Sequence, residues 1–142
     1  MADGITFNFD STALDESLTK LQRYYWDRIA ARIYSKIKRL INQGRNAEGA
    51  KFLSYDPKYK AWKIKNGYSG EVNLQVTSQM VLSINFRVYN GGFEIFLNGE
   101  ANNLKMREIH RKKNWQVLIW GKALRKELYS AINEAFRDAG FL

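Results

Sequence analysis

An apolar stripe in the first third of the chain constrains the fold most. Large apolar residues recur there every three or four positions, as on one face of a helix: Leu14, Leu18, Leu21, Tyr25, Ile29, Ile33, Ile37 and Leu40. Thr12 and Asp15 resemble a capping box at its start, and Gly44 is a natural stop. The pattern predicts one helix over residues 12–43, roughly 45 Å long at about 1.5 Å per residue. Such length predicts that one end projects from the core or packs on another subunit.

The opposite face of this predicted helix is basic. Its cations are Lys20, Arg23, Arg28, Arg32, Lys36 and Arg39. The simpler interpretation is a charged face that lies in water. The more specific interpretation is a basic stripe that faces DNA or an acidic neighbour.

Alternating apolar runs predict strands, one close to the N-terminus and three within residues 72–98. The first contains Phe7 and Phe9, and the others are VNLQV, SINFRVYN and FEIFLN. The Gly91-Gly92 pair lies between the last two runs, which predicts a hairpin.

The remaining segments complete a single predicted connector-type domain, 1–142. Residues 44–71 predict a long loop, 101–120 a basic arm and 122–138 an amphipathic C-terminal helix. Because strands and helices do not alternate, the expected fold class is α+β. We expect the long N-terminal helix and the C-terminal helix to pack on a small antiparallel sheet.

Few residues of this chain suit catalysis. There is no Cys, and the one histidine, His110, lies in REIHRKK, where we interpret it as a surface residue. Neither phosphate-binding glycine fingerprint occurs, and no carboxylates cluster at metal-ligand spacing. We therefore expect no enzyme activity, cofactor or metal; a small ribonuclease-like toxin is disfavoured for the same reasons.

The charge favours anionic partners. The formal net charge is +9, and the predicted arm concentrates it. The candidate contacts to DNA or to an acidic partner are Lys105, Arg107, Arg111, Lys112 and Lys113, and the basic run continues to Lys122, Arg125 and Lys126. Two interpretations stay open, a sequence-tolerant nucleic-acid-binding surface over residues 105–126 and a segment docked on an acidic neighbour in an oligomer.

The predicted loop interleaves aromatic residues with lysines. Its aromatic residues are Phe52, Tyr55, Tyr59, Trp62 and Tyr68. Such rings could stack on the bases of single-stranded nucleic acid. Their irregular spacing in a glycine-rich loop beside Pro57 better suits rings tucked under a loop, with lysine ammonium groups in water.

The order of these pieces resembles the phage virion-morphogenesis family, the tail-completion or neck group of head–tail connector proteins. The family's F-x-x-Y…Y-x-x-x-K loop is matched at Phe52, Tyr55, Tyr59 and Lys63. Its L-x-x-T-G-x-M/L-x-x-S-I signature is matched at Leu74, Thr77, Met80, Ser83 and Ile84. Ser78 replaces the usual glycine, and NWQVLIWGK keeps only the aromatic residue and the glycine of a later family motif.

The resemblance implies a structural virion protein, assembled in the host cytoplasm. Copies would form a ring, commonly sixfold, in the neck or at the head-proximal end of the tail, around the DNA channel. Its partners would be other neck, portal-side and tail-tube proteins and the passing DNA, and no membrane. The loop residues implied at the subunit interface are Phe52, Tyr55, Tyr59, Trp62, Lys63 and Tyr68.

Overall fold

The computed structural model describes residues 6–10, 21–52, 57–67, 81–111 and 113–141. Helices pack on an antiparallel sheet, so the expected α+β class is confirmed. In chain order the elements are β1 (Thr6–Asp10), α1 (Arg23–Asn42), α2 (Pro57–Lys65), β2 (Ile84–Tyr89), β3 (Gly92–Leu97), α3 (Glu100–His110), a 3-10 turn (Lys113–Trp115) and α4 (Lys122–Asp138).

Among the described residues, the sheet has three antiparallel strands in the order β1-β3-β2. Ile95 in the central strand pairs with Phe7 on one side and with Phe86 on the other. Because directly opposed residues share a face, the alternating apolar residues of all three strands form one apolar face. This face packs against α1, which contacts both β2 and β3.

The predicted hairpin between β2 and β3 is confirmed, with its turn one residue earlier than the glycine pair suggested. Tyr89 pairs with Gly92, so Asn90 and Gly91 make the two-residue turn. Gly91 has φ of 83°, as the favoured Asn-Gly hairpin turns require.

Gly92 belongs to strand β3, where close packing requires a glycine. A Cβ at this position would lie 2.0 Å from the carbonyl oxygen of Phe9. The Tyr89 hydroxyl donates hydrogen bonds to the carbonyl oxygens of Phe9 (3.2 Å) and Phe93 (3.3 Å). Burial, Asp10 and Glu94 raise the pKa of this hydroxyl.

Helix α1 is shorter than the predicted helix over 12–43. Gln22 has an extended backbone (φ −65°, ψ 155°), so the helix begins at Arg23 and a continuous helix from Thr12 is wrong. Its 20 residues span about 30 Å. The predicted stop is confirmed, because the helix ends at Asn42 and Gly44 has φ of 70°.

Aromatic rings fill the core between α1 and the sheet. Trp120 packs on Phe7 with ring centroids 4.6 Å apart, and Phe9 packs on Trp26 at 5.6 Å. Trp120 also donates its indole N–H to the carbonyl oxygen of Asn8 on β1, at 3.0 Å. The segment that contains Trp120 is therefore a buried turn that covers the outer side of β1.

The segment predicted as a loop over 44–71 includes a helix, α2, so that prediction is wrong in part. The arm predicted over 101–120, whose pattern allows a helix or an extended segment, begins with the helix α3. The C-terminal helix has the predicted bounds, 122–138. The strand predicted at VNLQV lies outside the described residues. No helix in the described ranges is both long and apolar enough to cross a membrane.

Candidate functional site

A tight turn over residues 44–52, hereafter the 44–52 turn, holds distant parts of the chain together. Arg45 and Lys51 form an isolated antiparallel bridge at its base. The buried Asn46 amide accepts hydrogen bonds from the backbone N–H groups of Glu48 (3.0 Å) and Ala50 (3.1 Å). Its Nδ2 donates to the carbonyl oxygen of Asn114 at 2.6 Å. One amide thus shapes the turn and ties it to a segment far away in sequence.

The same turn caps the N-terminus of α4. The carbonyl oxygen of Ala47 accepts from the N–H of Ala123 at 3.0 Å, and Glu48 Oε2 accepts from the N–H of Lys122 at 3.1 Å. A Cβ on Gly121 would lie 2.5 Å from the Ala47 carbonyl. Because these first amide donors are satisfied within the chain, the helix end offers them to no ligand.

Phe52, the first residue of the proposed interface loop, is buried in the chain itself. Its ring packs edge-on against Trp115, with centroids 6.5 Å apart. The neighbouring Lys51 carbonyl accepts a hydrogen bond from Asn114 Nδ2 at 3.2 Å. Phe52 therefore anchors the 44–52 turn to the 3-10 turn.

Helix α2 presents apolar side chains to solvent and buries a lysine. Trp62 is 48% exposed and Ile64 is 57% exposed, whereas Lys63 between them is 0% exposed. Burial lowers the pKa of the Lys63 ammonium group. Lys63, one of the residues that matched the family motif, is thus turned inward by α2.

The rest of the proposed interface set cannot be placed with these residues. Tyr59 lies on α2, where only its backbone is described, and Tyr55 and Tyr68 lie outside the described residues. Whether the aromatic residues form one surface therefore stays a prediction.

The basic face of α1 meets an acidic face of α4. Arg32 binds Glu127 through Nη2 (2.6 Å) and Glu134 through Nη1 (2.7 Å). Arg28 Nη2 lies 3.0 Å from Asp138 Oδ2, and this hydrogen bond raises the pKa of Arg28. We call this set of pairs the α1–α4 seam. The acidic neighbour considered for the stripe is thus α4 of the same chain.

The spacing of the charged residues in the sequence could have predicted the α1–α4 seam. Arg28 and Arg32 on α1 are four residues apart, as are Glu134 and Asp138 on α4. Residues at this spacing share one side of a helix, so both sets form charged edges. A cavity of about 10 Å³ opens at the seam beside Ile29 and Ala131, which is the lower limit for one water molecule.

The predicted basic arm is divided by the fold. Lys105 and Arg107 lie on α3, and Arg111 follows it and pairs with Glu108 at 3.2 Å. Lys112 lies outside the described residues, and only the backbone of Lys113 is described. Helix α3 also carries Glu100, so it presents mixed charge.

His110 is half-buried, so its interpretation as a surface residue is wrong. Its Nε2 accepts hydrogen bonds from the backbone N–H groups of Val117 (3.3 Å) and Leu118 (3.2 Å). Burial lowers the pKa of its imidazole to about 4. A neutral ring that accepts at Nε2 carries its proton on Nδ1. His110 thus satisfies two amides in a bend.

The described residues contain no group of three or more His, Cys, Asp or Glu side chains placed to hold a metal ion. What the described surface offers is a set of exposed apolar side chains and an uneven distribution of cations. These features suit binding to macromolecules.

The comparisons with known proteins give no further guide. No family model matches the chain, and searches of curated proteins and of solved structures found no match.

Proposed function

We propose that the chain is a structural virion protein of a tailed bacteriophage. Identical copies form a ring in the neck or at the head-proximal end of the tail, around the channel that DNA traverses. Neighbouring rings, the portal side and the tail tube are its protein partners. The resemblance at Phe52–Lys63 and Leu74–Ile84 led to this proposal.

One structural observation supports it most: large apolar side chains are exposed in and beside the segments that carry the resemblance. Trp62 and Ile64 lie on α2, and Leu82, which is 75% exposed, lies two residues before β2. A helix of nine residues is marginal alone and takes its stability from packing. Tryptophan and other apolar residues are typical of the centre of a protein interface.

A ring needs head-to-tail contacts, in which one surface of each copy meets a different surface of the next. We assign α2 to one of these two surfaces. The 44–52 turn precedes α2 in the chain and is fixed inside the subunit by Phe52 and Asn46.

The proposal is tested on purified protein by size-exclusion chromatography with light scattering, and by electron microscopy of the same fractions. The wild-type chain should form a ring, and the double substitution Trp62→Glu with Ile64→Glu should leave monomers. Charges introduced at a desolvated contact repel or stay unpaired, so dissociation is expected.

Leu104→Glu is the control, because Leu104 on α3 is 49% exposed and lies outside the two matched motifs. This variant should still assemble. Some rings assemble only on the tail, so mass spectrometry of purified particles of the encoding phage is the second measurement. A chain that is monomeric alone and also missing from those particles refutes the proposal.

A further inference from the structure

Helix α4 is divided lengthwise into three faces. One face is buried in the core and contains Leu124, Leu128 and Ile132. A second face carries the carboxylates of the α1–α4 seam. The third face is exposed along its whole length and consists of Lys122, Arg125, Lys126, Tyr129, Asn133 and Arg137. We call this third face the cationic face.

Every charged residue of the cationic face is a cation. None of Lys122, Arg125, Lys126 and Arg137 forms a salt bridge with a described residue, in contrast to Arg28 and Arg32 on α1. Glu48 lies at the N-terminal edge, where its carboxylate accepts the Lys122 N–H. Seam and cationic face together show that α4 sorts its charges: anions lie against α1 and cations face solvent.

We propose that the cationic face binds the backbone of double-stranded DNA. Three of its cations lie within about one turn at one end, and Arg137 lies near the other end, about 22 Å along the helix. Between them Tyr129 and Asn133 present polar groups. An exposed helix fits the B-DNA major groove, about 12 Å wide, with its end cations on the flanking phosphates.

Two other anionic partners fit this face less well. A helix that lies on a membrane needs a free apolar side, but the apolar side of α4 is buried in the core. A protein interface needs an apolar centre, whereas Tyr129 is the only large ring on this face. Interfaces with DNA are polar and strongly positive, as this face is.

The inference goes beyond ring formation and does not depend on it. It also moves the candidate DNA contacts from the arm at 105–113 to α4. A chain that is monomeric in isolation and missing from phage particles, yet binds DNA through α4, would refute the ring and leave this inference intact.

The test is fluorescence anisotropy with a labelled DNA duplex of about 20 base pairs, titrated with the full chain between 50 and 200 mM NaCl. If four phosphates are contacted, log Kd should change with log salt with a slope of about 3.6. The triple substitution Lys122→Gln, Arg125→Gln, Lys126→Gln should weaken binding at least tenfold and lower the slope to about 1. Glutamine favours helix, so the fold is retained, which circular dichroism checks.

The matched control removes three exposed lysines elsewhere, by Lys60→Gln, Lys65→Gln and Lys105→Gln. Both variants carry the same net charge, and the control should bind within about twofold of the wild-type chain. The inference is overturned if the duplex does not bind at 50 mM NaCl, or if both variants lose affinity equally. Tighter binding of a duplex RNA of the same length also overturns it, because the narrow A-form major groove excludes a helix.

Discussion

Several polar side chains in this fold satisfy backbone groups, both in bends and within the sheet. His110 accepts two amides, Asn46 joins two segments, and Tyr89 donates to carbonyl groups across the sheet. Buried backbone groups without partners are costly, so each bend in the core needs such a residue. His110 is the side chain of this protein that would best suit acid–base catalysis, and in this fold it has a structural role instead: it accepts two backbone N–H groups.

Lowering the pH should destabilise the protein through His110. The folded pKa of about 4 lies below the ordinary value of 6.5, so the unfolded chain binds the proton more readily. The stability contributed by the neutral ring is complete above pH 6.5 and is lost as the pH falls towards 4. The loss should approach about 3 kcal/mol, and the ring signal in NMR should titrate near pH 4.

Carboxylates titrate in the same range, so His110→Gln is the control for this prediction. Glutamine can accept a hydrogen bond but does not titrate. Urea unfolding between pH 4 and 7 should show a shallower pH dependence for this variant than for the wild-type chain. Equal slopes would show that His110 is not the group responsible.

At the scale of elements, the sequence predicted helices best where an apolar stripe and a flanking break agreed. Helix α4 has both, with Gly121 and Gly140 beside its stripe, and its bounds were predicted correctly. The stripe of α1 includes Leu21, but Gln22 is extended, so periodicity overestimated the helix. Helix α2 was missed because PKYKAWKIK lacks an apolar stripe.

The 44–52 turn should depend on Asn46. Replacement by Ala removes three hydrogen bonds and leaves the N–H groups of Glu48 and Ala50 and the carbonyl of Asn114 without this partner. We expect a loss of about 3 kcal/mol in the free energy of unfolding, measured in urea. Asn133→Ala, at an exposed site on α4, should change it by less than about 0.5 kcal/mol. Similar losses in the free energy of unfolding for Asn46→Ala and Asn133→Ala would contradict the inference that Asn46 holds the 44–52 turn together.

At the scale of the whole molecule, the positions of the charges say more about which surfaces could bind a partner than the net charge does. The chain carries a net charge of +9, yet Arg28 and Arg32 of α1 are paired with carboxylates of α4. Helices distant in sequence are thereby joined edge to edge, and the excess positive charge lies elsewhere on the surface. The two proposals concern what remains: exposed apolar groups on α2, and cations on α4 that form no salt bridge with a described residue.

The α1–α4 seam should show measurable coupling between Arg32 and Glu127. A double-mutant cycle with Arg32→Gln and Glu127→Gln should give about 0.5–1 kcal/mol, since the pair is only partly exposed and doubly hydrogen-bonded. The coupling should shrink in 1 M NaCl.

Arg39 provides the comparison, because it lies 4.0 Å from the same carboxylate and is more exposed. A cycle between Arg39 and Glu127 should give a value close to zero. Equal coupling in both cycles would mean that Glu127 senses only the general positive field of α1.

The sequence by itself determined the α+β class, the existence of the β2–β3 hairpin and the C-terminal helix, because each depends on local periodicity and turn chemistry; the exact turn residues, Asn90 and Gly91, came from the structure. Only the tertiary structure decided what Arg32, Asn46, Phe52 and His110 contact. Apart from the local bonds of Asn46 to Glu48 and Ala50, those partners lie between 7 and 102 positions away along the chain, and no local pattern encodes such distances. From sequence alone, Arg32 and Phe52 suggested partners outside the chain, whereas folding placed partners for both within it.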